Sequence, residues 1–160
     1  VYVGDEEGRE LTLGTMSPGD FFGELAIIDG SPRSATVEAT EKTQVLQITG
    51  REFQEFVSSS PSVLNNLLGE LARRVRGVNE HIKDLALLDV YGRVARTILR
   101  LSREVDGVQV TDAITQQEIA NMVGASREMV SRVLNNLKQD GYISIKEKRI
   151  TILSTLPHKR

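Results

Sequence analysis

Residues 22–37, FGELAIIDGSPRSATV, place Gly23 and Glu24 nine or ten residues before Arg33, Ser34 and Ala35. Small residues surround both ends of that stretch. A carboxylate and a planar guanidinium, set among residues that let backbone come close, suit a pocket for a small ribose-bearing anion. The same residues also describe a surface turn carrying a Glu–Arg pair, and the stretch alone leaves both open.

A second cluster lies at residues 115–140. TQQE at 115–118 is a capping box, in which the Thr115 hydroxyl accepts from the N3 amide and Glu118 reaches back to the cap amide. The helix it opens must stop at Gly124, whose tolerance of positive φ suits a tight turn. Ser126 then caps a second helix with Val130, Val133, Leu134 and Leu137 on one face, closed by Asp140 and Gly141. The spacing Ala120, Gly124, Val130 is what a DNA-binding helix-turn-helix demands: a small residue at the crossing, a glycine turn and a branched residue to seal the angle.

The opposite face of that second helix carries Arg127, Glu128, Ser131, Arg132 and Asn135. Arginine suits guanine O6 and N7, and glutamate suits the cytosine amino group. Glu128 and Arg132 also stand at i, i+4, a pair worth only about 0.2–0.5 kcal/mol, and both readings can hold at once. YISIKEKRITIL then alternates Ile143 and Ile145 with Ile150 and Ile152 around a charged tip, a hairpin wing whose Lys148 suits a phosphate. Gln116, Gln117 and Ser126 join Lys148 as expected backbone contacts.

These clusters need elements to hold them. Residues 1–50 read as short strands broken by turns, with a hairpin expected around Glu41 and Lys42 in TVEATEKTQVLQI. After Pro61 the period changes. Leu64, Leu68, Leu71, Val75, Val78, Ile82 and Leu85 recur at alternating spacings of 4 and 3, flanked by Arg73, Arg74, Arg76, Glu80, His81, Lys83 and Asp84. So narrow a seam favours a dimer coiled coil over a helix lying on its own domain. A bend near 89–92 leads to a further helix with Val94, Ile98 and Leu101 on its apolar face, ended by Gly107.

Composition bounds the function. The 160 residues are 39% hydrophobic and 26% charged, ordinary for a soluble globular protein, and hold no cysteine. That excludes disulfides and cysteine-held iron–sulfur clusters within this stretch and fits a cytoplasmic protein. No membrane-spanning run or secretory leader is visible, and the opening VYVGDEEG reads as a sheet already under way, so residues before Val1 are expected. The net charge of −2 is unevenly spread. Residues 1–60 hold four Lys/Arg against eleven Asp/Glu, and residues 61–160 hold sixteen against eleven. An acidic half joined to a basic half suggests two jobs, one of them phosphate binding.

With these motifs in order, the chain resembles the cyclic-AMP receptor protein (Crp/Fnr) family of bacterial transcription regulators. Residues 22–37 resemble its phosphate-binding cassette, LALLDVYGRVARTIL its hinge and following helix, and TQQEIANMVGASREMVSRVL its DNA-reading unit. The resemblance implies an α+β chain: a cyclic-nucleotide-binding β-roll over 1–60 lacking its opening strands, a dimerisation helix and hinge over 61–90, and a winged helix-turn-helix over 91–160. It implies a cyclic nucleotide as effector, cyclic AMP first and cyclic GMP second, with no metal and no enzymatic reaction. Gly23 would let backbone approach that ligand, with the amides of Glu24, Leu25 and Ala26 facing an anion. Glu24 would accept from a ribose hydroxyl, and Arg33 would pair with the cyclic phosphate beside Ser34 and Ala35.

The resemblance also implies a homodimer on a palindromic double-stranded DNA operator with TGTGA-like half-sites, read by Arg127, Glu128 and Arg132, and RNA polymerase as a partner. One departure stands out. The two hydroxyl residues that contact adenine in cyclic-AMP-responsive members are replaced here by Val78, which cannot hydrogen-bond through its side chain, and Asn79, which can read a base edge differently. The competing expectations are the same fold with a vestigial or differently selective pocket and ligand-independent DNA binding, or a cyclic-nucleotide regulatory module of an enzyme or channel. An iron–sulfur sensor lacks its cysteines, and the only histidines available to a haem sensor are His81 and His158.

Overall fold

The computed structural model describes residues 1–157; His158 and the two residues after it lie outside the described residues. The chain runs β1 (Tyr2–Gly4), β2 (Glu10–Thr12), α1 (Leu25–Asp29), α2 (Gly50–Ser59), α3 (Pro61–Leu87), α4 (Val90–Leu101), β3 (Ser102–Val105), β4 (Val108–Thr111), α5 (Gln116–Val123), α6 (Arg127–Gln139), β5 (Ile143–Lys146) and β6 (Arg149–Ile152). It is an α+β fold of two unequal parts, a long helix leaving the first and a helix-turn-helix with a hairpin wing forming the second.

The first part holds less sheet than its turn signals suggest. β1 and β2 pair antiparallel, and Tyr2 makes one isolated bridge to Thr36. The hairpin expected around Glu41 and Lys42 does not form: residues 37–48 contain no strand. A hairpin is stable only when its apolar face packs on a further layer. Val45 and Leu46 meet none, being 70% and 93% exposed. Helix α2 follows directly on the region expected to form strands. Its N-terminus is a second capping box, with Thr49 accepting from the Glu52 amide while Glu52 accepts from the Thr49 amide.

Pro61 at the first turn pre-sets the φ that α3 needs. The helix stops where Leu88 turns extended, and Asp89 caps α4 by accepting from the Gly92 amide at 2.8 Å. The bend expected over 89–92 therefore lies at Leu88 and Asp89. Gly107 does not end α4, as the sequence suggested. The helix ends at Leu101, and Asp106-Gly107, both at positive φ, make the tight turn of a β3–β4 hairpin. An Asp-Gly pair between strand-forming valines is the signal for this type I′ turn.

The second part closes a core. Four strands line up in the order β3-β4-β6-β5, so the wing is continuous with the β3–β4 hairpin. Against them pack Val94 and Ile98 of α4, Ile119 and Val123 of α5, and Val130 and Leu137 of α6, each 0–1% exposed. Apart from Leu67, every buried hydrophobic residue among those described lies between 91 and 156.

Candidate nucleic-acid interface and ligand cassette

The helix-turn-helix is built as its residue types require. Thr115 and Glu118 form the capping box, the Thr115 amide donating to the Glu118 carboxylate at 2.6 Å. Gly124 takes φ +61 at the turn, and the Ser126 hydroxyl accepts from the Met129 amide at 3.3 Å to start α6. Ala120 and Val130 are 1% and 0% exposed at the crossing of the helices. Burying the 130, 133, 134 and 137 stripe forces the other face of α6 outward.

That outward face lines a shallow cleft of about 500 Å³ formed by Gln116, Arg127, Glu128, Ser131, Arg132 and Asn135. None of these side chains has a hydrogen-bond or ion-pair partner among the described residues. The Glu128–Arg132 pair that the spacing permits is not formed. Several other arginines are engaged: Arg93 donates to the carbonyls of Val123 and Leu88, Arg96 pairs with Asp84, and Arg103 pairs with Asp112.

The wing extends this surface. Glu147 and Lys148, both at positive φ, make its turn, and the Lys148 carbonyl accepts from the Ile114 amide at 3.0 Å. That bond fixes the wing tip beside the start of α5. A second cleft runs between them, holding Gln116, Gln117, Arg127 and Lys148 above a floor that includes Ile145 and Ile150. Gln116 and Arg127 line both clefts, so the two adjoin at these residues. Ser126 is exposed at its edge but spends its oxygen on the cap. Gln117 also has an internal partner, donating to Asn121 at 2.8 Å.

In the cassette the candidate ligand residues meet one another and α3. Gly23, at φ +81, leaves room for Arg33: a Cβ there would stand 2.5 Å from the Arg33 Nη1. Arg33 donates to the Gly23 carbonyl and is otherwise exposed, as is Ser34, while Ala35 is half-buried. Glu24 is only 4% exposed. Its Oε1 accepts from Arg74 of α3 at 2.9 Å, and Arg74 also donates to the Phe21 carbonyl at 2.5 Å and lies 4.7 Å above the Phe21 ring. Glu70 flanks Arg74, and its carboxyl is held below the usual range chiefly by the hydrogen bond from Arg73, with Arg74 adding to it. Arg74 is therefore a cassette residue that the motif alone did not reveal. The signal was available, because a glutamate among small apolar residues is buried only with a cation to match it.

Leu25 begins the five-residue helix α1, which carries no side-chain cap. Asn79 is exposed on α3, about 140° around that helix from Arg74, so the chain does not bring it onto the face that holds Glu24. His81, the one histidine described, lies on α3 with its buried Nε2 lacking a hydrogen-bond partner. Among the described residues there is no group of three potential metal ligands, and no helix is long and apolar enough to cross a membrane.

Residues 1–60 match the cyclic nucleotide-binding domain family, and residues 92–155 match the Crp-like helix-turn-helix domain family. Among curated relatives, the cAMP-activated global transcriptional regulator CRP of Salmonella typhimurium is 38% identical over 160 residues, covering 97% of this chain and 76% of that protein. The regulator Vfr of Pseudomonas aeruginosa, likewise named as cAMP-activated, is 39% identical over 163 residues with the same coverage. Among solved structures, the c-di-GMP responsive global regulator CLP of Xanthomonas campestris aligns with a TM-score of 0.84 at 28% identity, over 96% of this chain and 79% of that one. A helix-turn-helix of this type removes the reading as a regulatory module of an enzyme or channel. Taken with the geometry of α5, α6 and the wing, these matches make the chain a member of the Crp/Fnr family of DNA-binding transcription regulators.

Proposed function

We propose that the chain is a sequence-specific regulator whose DNA affinity is set by a cyclic nucleotide held between the cassette and α3, and that it acts as a homodimer joined along α3. The observation that carries the DNA part is the unpartnered polar face of α6, where Arg127, Glu128 and Arg132 line one cleft with no internal acceptors or donors to satisfy them. Two such faces related by a two-fold axis and about 34 Å apart would read a palindrome in successive major grooves. Arg127 and Arg132 then read guanine and Glu128 reads cytosine, giving TGTGA-like half-sites. Gln116, Gln117, Ser126 and Lys148 hold the sugar–phosphate backbone.

The seam on α3 supports the dimer. Leu68, Val75, Val78 and Ile82 are 54–59% exposed in the single chain, a line of apolar side chains with nothing over it. On this reading the ligand favours one register of the paired helices, a population shift that sets the spacing of the two recognition faces. Cyclic AMP is the first effector to test, because the 38–39% identical relatives are cAMP-activated. Cyclic GMP is the second, and the likeness to a c-di-GMP responsive regulator adds a third. Arg33 turned onto the Gly23 carbonyl, Glu24 bonded to Arg74 and Val78 in place of a hydroxyl favour one rival reading, DNA binding without a ligand. The protein would work in the bacterial cytoplasm with RNA polymerase as its downstream partner.

The test combines two measurements. Calorimetric titration with cyclic AMP, cyclic GMP and cyclic di-GMP identifies the effector, and selection from random duplexes with and without each nucleotide identifies the operator. A ligand-dependent palindrome is expected. The same palindrome selected equally well without any nucleotide would establish the rival reading.

A further inference from the structure

We infer that Asn135 reads the adenine beside the base pair held by Arg132, the last step of the TGTGA-like half-site, for which Arg127, Glu128 and Arg132 leave no assigned contact. This rests on the DNA-reading function proposed above and deepens it. Asn135 is exposed on α6, lines the same cleft as Arg127, Glu128 and Arg132, and has no partner among the described residues. Its neighbours Leu134 and Leu137 are 2% and 0% exposed, which pins the backbone that carries it. The side chain is short, so a fixed backbone also fixes the position of its amide.

The spacing sets what it can reach. From Glu128 to Asn135 the helix rises about 10 Å, and from Arg132 to Asn135 about 4.5 Å. Base pairs stack about 3.4 Å apart, so with α6 laid along the groove the stripe 128, 132, 135 spans about three steps, and Asn135 stands roughly one step past Arg132. Its carboxamide presents one acceptor and one donor in a plane, matching the N6 donor and N7 acceptor of adenine in the major groove. Guanine offers two acceptors at the same edge and leaves the carboxamide oxygen unmatched. A lysine or arginine here would instead favour guanine or a phosphate, and an apolar residue would read at most a thymine methyl.

The experiment is selection from random duplexes by the full chain, without nucleotide and with cyclic AMP, cyclic GMP or cyclic di-GMP, comparing wild type with Asn135→Ala, Asn135→Asp and Arg132→Ala. Wild type is expected to enrich adenine at the step flanking the Arg132 contact, on the side away from Arg127. Asn135→Ala should erase that preference, a loss of about 5- to 150-fold in discrimination at this one pair with the others kept. Asn135→Asp, acceptor-only, should move the preference toward cytosine. An Asn135→Ala profile unchanged at every position, or weakened equally for all sequences, would overturn the inference while leaving the Arg132 contact standing. Failure of wild type to select any sequence in all four conditions would overturn the DNA-reading function and this inference together.

Discussion

The two parts of the molecule differ in how far each is finished within one chain. Residues 91–156 close a core in which Val94, Ile98, Val130, Leu137 and Ile143 are 0–1% exposed, and every helix there ends on a cap or a glycine turn. Residues 1–88 bury a single hydrophobic side chain, Leu67, and leave Phe22, Ile28, Phe56 and the seam residues Leu68, Val75, Val78 and Ile82 more than half exposed. Polar groups run the opposite way. The exposed face of the DNA-reading part is unpartnered, whereas in the cassette Arg33 and Glu24 already have internal partners. One part is rigid inside and open to a ligand outside. The other has its polar groups engaged and its apolar surface uncovered, the condition of an element that completes itself on a second surface.

The strongest test of this contrast is stability. Ile98→Ala should destabilise the fold by about 2–5 kcal/mol, seen as a lower urea midpoint, because it opens a cavity in a closed core. Leu46→Ala, at a 93% exposed position, should stay within about 0.5 kcal/mol. Equal effects would erase the distinction between the parts. Next comes assembly: charged residues at both Leu71 and Val78 should turn dimers into monomers in sedimentation. If the variant sediments as a dimer, the seam is elsewhere.

Ligand binding sharpens the comparison. Arg33→Leu should weaken a cyclic nucleotide by about 10- to 150-fold, since the phosphate loses a charge-assisted partner worth about 1.5–3 kcal/mol. Calorimetry of the variant checks it, and unchanged binding would mean that Arg33 serves only the Gly23 carbonyl. The DNA face is expected to respond on a finer scale. Arg132→Ala should cost about 1–3 kcal/mol per half-site and relax preference at one base pair. Lys148→Ala should leave the preferred sequence alone and reduce the slope of log affinity against log salt by about 1. A change of sequence preference in the Lys148 variant would move the wing from the backbone to the bases.

Legibility in the sequence follows the same divide. Around α5 and α6 the signals are local: Thr115 with Glu118, Gly124, Ser126 and Asp140-Gly141 each act within a few residues, and each is found where the sequence places it. The β3–β4 hairpin was legible too, in Asp106-Gly107, but the helical period through Leu101 masked it. In the cassette the decisive partner is Arg74, fifty residues from Glu24, a separation that no motif spans. The expected hairpin around Glu41 and Lys42 shows the converse, since alternation states only that a face wants burial. It does not supply the layer that would bury it.

The turn at Gly124 has a mechanical consequence. A Cβ at Gly124 would lie 3.8 Å from both Leu11 of β2 and Leu85 in the last turns of α3, and Arg93 binds the Val123 carbonyl next to it. Three segments distant in sequence thus bear on one pivot. A close-packed body of this kind tilts as a unit when pushed and does not absorb the push by deforming. In the proposed dimer the two recognition helices stand about 34 Å apart, roughly ten base-pair steps of about 3.4 Å. A shift of the long helices at Leu85 would pass through this pivot to each protomer's own recognition helix, and the two-fold axis would make both change together.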